Sequence, residues 1–296
     1  MSDTPPRYLT TRELAGMLRI GERKVYELAA TGEVPCVRVV GKLLFPRAEI
    51  EAWIATARSG PEIAPEPLPP IVAGSHDPLL DWALRESGSG LAAFFDGSHD
   101  GLARLAARKA AAAGMHVHET SPEGDGWNRE TLRAALPRQP VVLVEFARRR
   151  RGLLLGPGAK AVCGITDLAG LRLARRQASA ASQRLFETLA ARAGLDGTSL
   201  PGPQTPARTE DEVARMIRDG AADAAFGLEC VARQSGLGFV PLLEERFDLA
   251  LWRRAWFEPP MQRLLRFLDG AAFRARAEEM GGYDISNLGR VHFNGP

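Results

Sequence analysis

The chain has 296 residues, 45% of them hydrophobic and 25% charged, with a formal net charge of +2 and three cysteines. This is the composition of a globular protein with room for two or three domains, and it excludes disordered and fibrous classes. No apolar run reaches the roughly 18 residues that mark a membrane span, and Cys36, Cys163 and Cys230 are too scattered for a disulfide framework or a CxxC metal site.

The N-terminal stretch lacks a basic region followed by an apolar one, so no secretory signal is read there and a cytoplasmic protein is expected. The segment YLTTRELAGMLRIGERKVYELAATGEVP predicts two short helices joined by a tight turn at Ile20-Gly21. Thr10 caps the first helix, and Glu13, three positions on, completes a capping box. Leu14, Leu18, Val25 and Leu28 fall on inward faces, and Gly32 ends the second helix. Two short strands around Gly41-Lys42 and a third helix over Arg47–Ala57 follow. This is helix-turn-helix grammar.

The proline-rich stretch SGPEIAPEPLPP reads as a stiff linker. It divides the chain into a unit at 1–58, a linker at 59–69 and a long region at 70–296. Residues 1–58 carry 9 Lys/Arg against 7 Asp/Glu and the remainder is balanced, so charge alone is a weak pointer to nucleic acid.

The long region alternates strands and helices. Strands are predicted at Pro70–Ala73, Leu91–Phe95, Met115–Glu119, Val141–Phe146, Ala222–Phe226 and Phe239–Leu242. Helices are predicted at Pro78–Arg85, Gly101–Ala113, Ser182–Ala193, Glu210–Asp219, Met261–Leu268 and Ala271–Glu279. The pattern predicts an α/β fold of parallel sheet with helices on both faces.

The tetrapeptide GSHD occurs at Gly74–Asp77 and again at Gly97–Asp100. Consecutive residues cannot form a catalytic triad among themselves, because adjacent side chains diverge, and no nucleophile elbow surrounds either copy. A hydrolase would have to combine the histidines and aspartates of both loops. A metal site would draw on His76, Asp77, His99 and Asp100, with His116 and His118 alternating on one strand, but no HxxxH spacing supports it. The third reading fits position best: each copy follows a strand and precedes a helix. Free N–H groups at helix starts attract anions there, and Ser75 and Ser98 add hydroxyl donors. Helix capping by the same residues is compatible with that role.

Two resemblances follow. Leu9-Thr10-Thr11, Glu13-Leu14-Ala15, Val25-Tyr26, Gly32, Val34-Pro35, Gly41, Phe45, Ile50, Trp53 and Ile54 match the signature of the excisionase-type (MerR-like) winged helix-turn-helix family, which residues 1–58 resemble over nearly their whole length. The resemblance implies double-stranded DNA as partner. Glu22, Arg23, Lys24 and Tyr26 open the second helix, where side chains enter the major groove. Arg38, Lys42 and Arg47, on and after the wing, are phosphate candidates. A homodimer on two half-sites is expected.

Residues 70–296 resemble the type II periplasmic-binding-protein-like domain found behind helix-turn-helix units in bacterial regulators, a relative of molybdate/tungstate-binding proteins. The carrying segments, in order, are GSHDPLLDWAL, GSHDGLARLAARKA with AGMHVHE, RGLLLGPG, DLAGLRLARRQASAASQRLFETLAARAGL, VARMIRDGAADAAFGLECVARQSGLGFVPLLEERFDLAL and FRARAEEMGGYDISNLGRV. The resemblance implies two lobes closing on a ligand, the first at about 70–150 and 245–296, the second at about 158–240. The chain would cross near Arg151–Gly158 and return near Phe239–Trp252. It implies Arg175, Ser179, Ser182 and Glu229 as ligand groups, opposite Ser75, His76, Asp77, Ser98, His99 and Asp100.

Where relatives read asn-arg-gln-x-gly-ser-gly-thr-arg, residues 174–182 read ARRQASAAS, without the glycines and the Thr-Arg pair. That change leaves room for a larger, partly organic ligand. The run Arg148–Arg151 is expected to be a solvated strand end beside the hinge, or else a counter-charge for an anion or DNA. Trp127, Trp252 and Trp256 are expected in the core or at an interface, with stacking on a ligand as the sharper reading. The whole is similar to a one-component transcriptional regulator without a cofactor of its own. Its expected ligand is molybdate or tungstate, with a molybdenum-cofactor-like or other organic anion as the alternative. An enzyme on a binding-protein fold, and a ligand-free module whose cleft is filled by its own side chains, are the readings from other classes.

Overall fold

The computed structural model describes residues 7–56, 67–120, 126–159 and 161–296, and the chain divides into two compact units, Met1–Glu66 and Pro67–Pro296. Most of the expected linker, and the expected helix end at Ala57, lie outside the described residues.

The first unit runs β1 (Tyr8–Leu9), α1 (Thr11–Leu18), α2 (Glu22–Ala30), β2 (Val37–Val39), β3 (Lys42–Pro46) and α3 (Arg47–Thr56). The Thr10 hydroxyl accepts the Glu13 N–H at 3.3 Å, and the Glu13 carboxylate accepts the Thr10 N–H at 2.8 Å. The capping box thus fixes where α1 starts. Leu14, Val25, Phe45 and Ile50 are fully buried and form the centre of the core. The strands make an antiparallel sheet in the order β1-β3-β2. Val39 pairs with Lys42, so the wing turn is Val40-Gly41, one residue before the predicted centre. Both turn residues have positive φ, 49° and 76°, as a two-residue hairpin requires. A β-branched residue is strained there, which is why the sequence alone did not place Val40 in the turn.

The second unit runs β4 (Ile71–Gly74), α4 (Pro78–Glu86), β5 (Ala92–Phe95), α5 (Ser98–Ala106), β6 (Ala112–Met115), α6 (Arg129–Ala135), β7 (Val141–Leu155), β8 (Leu173–Ala174), α7 (Ala181–Arg192), α8 (Glu210–Arg218), β9 (Ala224–Leu228), α9 (Glu229–Ser235), β10 (Gly238–Trp252), α10 (Arg253–Trp256), α11 (Pro259–Leu268), α12 (Ala271–Met280), β11 (Tyr283–Asp284) and β12 (Val291–Asn294). The sheet order is β5-β4-β6-β10-β7-β9-β8, with β11 and β12 also on β7.

The α/β class holds, but the sheet is mixed rather than parallel throughout. β4, β5 and β6 are parallel, as are β8 and β9. The 15-residue strands β7 and β10 run antiparallel to each other along their whole length. The first half of β7 and the last half of β10 belong to a first lobe with β6 and β12. Their other halves belong to a second lobe with β9. The chain therefore crosses between lobes inside β7, whose pairing with β9 begins at Arg151. One core cluster is continuous across the crossing, from Val72, Leu80 and Phe247 to Leu154, Val213 and Leu228.

Two sequence expectations fail for physical reasons. The alanine-rich helix predicted over Gly101–Ala113 ends at Ala106, and Ala112–Met115 is instead a fully buried central strand. Close packing overrides alanine's helix propensity here: a Cβ on Gly101 would lie 2.2 Å from the Gly74 Cα, so α5 rests directly on β4. The second correction concerns Arg148–Arg151, which is mid-strand rather than a solvated end. Arg149 and Arg151 are only 1% and 0% exposed. No helix among the described residues is long and apolar enough to cross a membrane.

Candidate functional site

Both copies of GSHD sit at the carboxyl ends of parallel strands, and both begin with a glycine at positive φ, 105° at Gly74 and 100° at Gly97. A side chain on Gly74 would strike the Gly114 carbonyl at 2.3 Å. The glycines thus explain the repeat: each lets its strand turn sharply into a helix. From there the copies diverge. Asp77 is the N-cap of α4, accepting the Leu80 N–H at 2.7 Å. In the second copy Gly97 is the N-cap, so Ser98–Asp100 is the first turn of α5 rather than a loop before it. The two registers nevertheless bring the serines together. Ser75 Oγ and Ser98 Oγ are 2.9 Å apart, both buried, and Ser98 Oγ also accepts the His116 N–H at 3.3 Å.

The other residues of the tetrapeptides are divided among different tasks. His76 lies edge-on to Phe95, with its Nδ1 buried and without a partner. Asp100 pairs with Arg104 at 2.6 Å on its own helix. Asp77 accepts Arg149 Nη1 at 2.8 Å and the Tyr283 hydroxyl at 2.9 Å. With its capping bond, three of the roughly four acceptor positions of its carboxylate are taken within the protein. No serine of either copy bonds a histidine ring, and no His/Cys/Asp/Glu group able to hold a metal occurs, among the described residues.

Behind the serines lies a buried ionic network that ties the lobes through the crossing strands. Glu245 of β10 accepts from Arg149, forms an ion pair with Arg151, whose Nε lies 2.9 Å away, and pairs with His116 Nδ1 at 3.2 Å. Arg151 continues to Glu210 of α8 at 3.1 Å, and Arg176 reaches the same carboxylate at 2.9 Å. Burial opposes ionisation of Glu210, but Arg151 and Arg176 outweigh it and hold its pKa at about 2. Burial acts likewise on Glu245, and Arg149 and Arg151 hold it well below the usual carboxylate range. Arg149, Arg151 and Arg176 thus face Asp77, Glu245 and Glu210, charge for charge.

The second lobe places its expected residues unevenly. Arg175 donates to the Thr198 and Leu200 carbonyls and ties its own loop. Ser179 is exposed and Ser182 is buried in the first turn of α7. Glu229 opens α9 and pairs with Arg150 at 2.7 Å. Arg176, which sequence reading passed over, is the residue of ARRQ that enters the network. Gln177 Nε2 lies 3.5 Å from Asp96 Oδ1 across the cleft, and Trp127 packs on the second lobe's core. Trp252 is buried, with its indole N–H on the Leu105 carbonyl.

A cavity of 170 Å³ lies between the lobes, lined by His99, Val117 and His118 on one side and Ala181, Arg184, Leu185 and Thr188 of α7 on the other. Larger cavities, of 350 Å³ beside α11 and 600 Å³ where β7 ends and β10 begins, include no residue of either GSHD turn in their lining. In the first unit, α2 buries Val25 and Ala29 and exposes Glu22, Arg23, Lys24 and Tyr26. Among the described residues Arg23 and Lys24 pair with Glu27, at 3.5 and 3.4 Å, and their side chains are 94% and 60% exposed. Arg38 lies on β2, Lys42 opens β3, and Arg47 opens α3 near Glu51 at 3.8 Å.

Residues 8–58 match a helix-turn-helix domain model, and residues 81–269 match that of the PBP superfamily domain. The chain belongs to the PBP superfamily. This PBP-superfamily chain is 21% identical over 301 residues to YvgK of Bacillus subtilis, covering 95% of this chain and 96% of that one. It is 29% identical over 99 residues to a Clostridium pasteurianum protein from the 5′ region of the ferredoxin 2Fe-2S gene, covering 33% of this chain and 88% of that one. A Clostridium perfringens substrate-binding protein with bound phosphate aligns at TM-score 0.51 and 9% identity, over 74% of this chain and 98% of that one. That likeness is one of fold.

Proposed function

We propose that the protein is a one-component transcriptional regulator: the helix-turn-helix unit binds an operator as a homodimer, and the PBP-superfamily unit senses a small anion between its lobes. The observation that carries the sensor reading is the meeting of the Ser75 and Ser98 hydroxyls at the start of α5, where free N–H groups and the helix dipole favour negative charge. Molybdate or tungstate is the first choice of ligand, since hydroxyls and amides bind a tetrahedral dianion without a salt bridge. An organic anion of the molybdenum-cofactor type is the second, favoured by the loss of glycines in ARRQASAAS, which limits backbone approach. Thermal denaturation of the full chain against molybdate, tungstate, sulfate and a pterin phosphate tests the reading; no shift with any of them refutes it.

The DNA-binding half is tested separately. Arg23→Ala and Lys24→Ala should each weaken operator binding by about 1–3 kcal/mol if they reach base edges. Substituting a phosphate contact should also flatten the salt dependence by about 0.9 in log K per log salt. Unchanged affinity and slope, measured by fluorescence anisotropy, would remove α2 from the interface.

A further inference from the structure

We propose that His99, His118 and Arg184 form a clamp across the cleft that holds a dianionic oxo group in the 170 Å³ cavity beside the paired serines. This rests on the sensor reading above and adds His118 and Arg184 to His99, which the sequence resemblance already implied. The three side chains come from both lobes: His99 from the first turn of α5, His118 from the segment after β6, and Arg184 from α7. A group bound among them would be shared by the two lobes, and closure would be part of binding.

Charge accounting distinguishes this cavity from the rest of the cleft. The buried network at the crossing strands is balanced, three arginines to three carboxylates, and needs no guest. Arg184 has no carboxylate partner among the described residues; its Nε reaches only the Ala178 carbonyl, at 3.4 Å. Neither imidazole is hydrogen-bonded to a carboxylate, and His118 instead lies edge-on to Trp127. The charged groups around them are Arg184 by His99, and Arg192 and Glu119 by His118, while Asp100 is spent on Arg104. The lining is therefore net positive, and among the described residues no carboxylate pairs with it, Glu119 being held by the Glu130 and Thr131 N–H groups. The cavity is small for an organic body but suits one oxo group, either free or the terminal phosphate of a larger molecule.

Burial, and then Arg184 for His99 and Arg192 for His118, lowers both histidine pKa values in the free protein. A dianion arriving beside them pulls those values back up, so binding takes up protons. The sign follows directly: affinity is greatest at low pH and falls as pH rises through the histidine pKa values of the complex, by up to about one decade per pH unit per proton.

Isothermal titration of the full chain with molybdate, and separately with a pterin phosphate, tests this in two non-oxyanion buffers of different ionisation enthalpy. With whichever probe binds, Arg184→Gln should weaken affinity about 10- to 100-fold, the loss of a charge-assisted contact, and Arg184→Lys should restore part of it. His99→Gln with His118→Gln should abolish the proton uptake. Arg184 is exposed, so these changes leave the core untouched. Wild-type affinity in Arg184→Gln, or unchanged proton uptake in the histidine variant, overturns the clamp while the serine site stands. Binding that also survives loss of both serines, or no binding of either probe to the wild type, overturns the sensor reading and the clamp with it.

Discussion

Replacing Ser75 and Ser98 together by alanine should abolish ligand-induced stabilisation of the full chain. A hydrogen bond to a charged group contributes about 1.5–3 kcal/mol, so losing two should weaken binding on the order of 10²- to 10⁴-fold. A ligand at a hundred times its Kd stabilises by about 2.7 kcal/mol, and a loss of that size erases the whole effect. The ligand-free variant should remain folded. Each alanine is smaller than the serine it replaces, and the losses are the hydroxyl pair at 2.9 Å and the bond that Ser98 accepts from the His116 N–H at 3.3 Å, together a cost of about 2–3 kcal/mol. Thermal denaturation across a molybdate series reads both quantities. A full ligand shift in the double variant would place the pocket elsewhere.

The second large effect belongs to the crossing strands. Glu245→Gln removes the charge that Arg149, Arg151 and His116 share, and leaves both guanidinium groups short of charge in a fully buried site. Breaking a buried pair by removing one partner costs about 3–5 kcal/mol. At about 2–4 °C per kcal/mol for a unit of this size, the melting temperature should fall by roughly 6–20 °C. The same network sets an acid limit. Glu210 at about 2, and Glu245 below the usual range, are both depressed in the folded state. Their stabilisation is complete above the unfolded value of about 4.3 and is lost as pH falls below it. Urea unfolding of the wild type should therefore weaken steeply between about pH 4.5 and 2.5, and that slope should be shallower in Glu245→Gln. Wild-type stability in the variant at neutral pH would show that the network contributes little.

The sequence made the local devices legible and hid the non-local ones. Thr10 and Glu13 announced the start of α1 because a capping box is complete within four residues. The position of the two GSHD copies, each after a strand and before a helix, was legible from the alternation of elements, and the positive φ of Gly74 and Gly97 gives it a physical reason. The helix register after the first copy was legible, with Pro78 opening α4 as expected, but that after the second was not. Asp77 and Gly97 are both plausible caps, and only packing decides that Ser98 is already helical. The run Arg148–Arg151 was misread because its carboxylate partners, Asp77, Glu210 and Glu245, lie far away in the chain. A stretch so charged is buried only when a distant strand brings compensation, and a single sequence does not show that pairing. For the same reason Arg184 carried no signal as a site residue, and His118 stood out only as a metal candidate; they face one cavity because α7 and the segment after β6 come from opposite lobes.

The central claim, that a guest in the cleft changes how the chain binds DNA, is tested most directly by operator affinity of the full protein with and without ligand. Saturating ligand should change that affinity by about 5- to 150-fold, the usual range of coupling between two sites. Identical operator affinity at a ligand concentration that demonstrably stabilises the protein would contradict it.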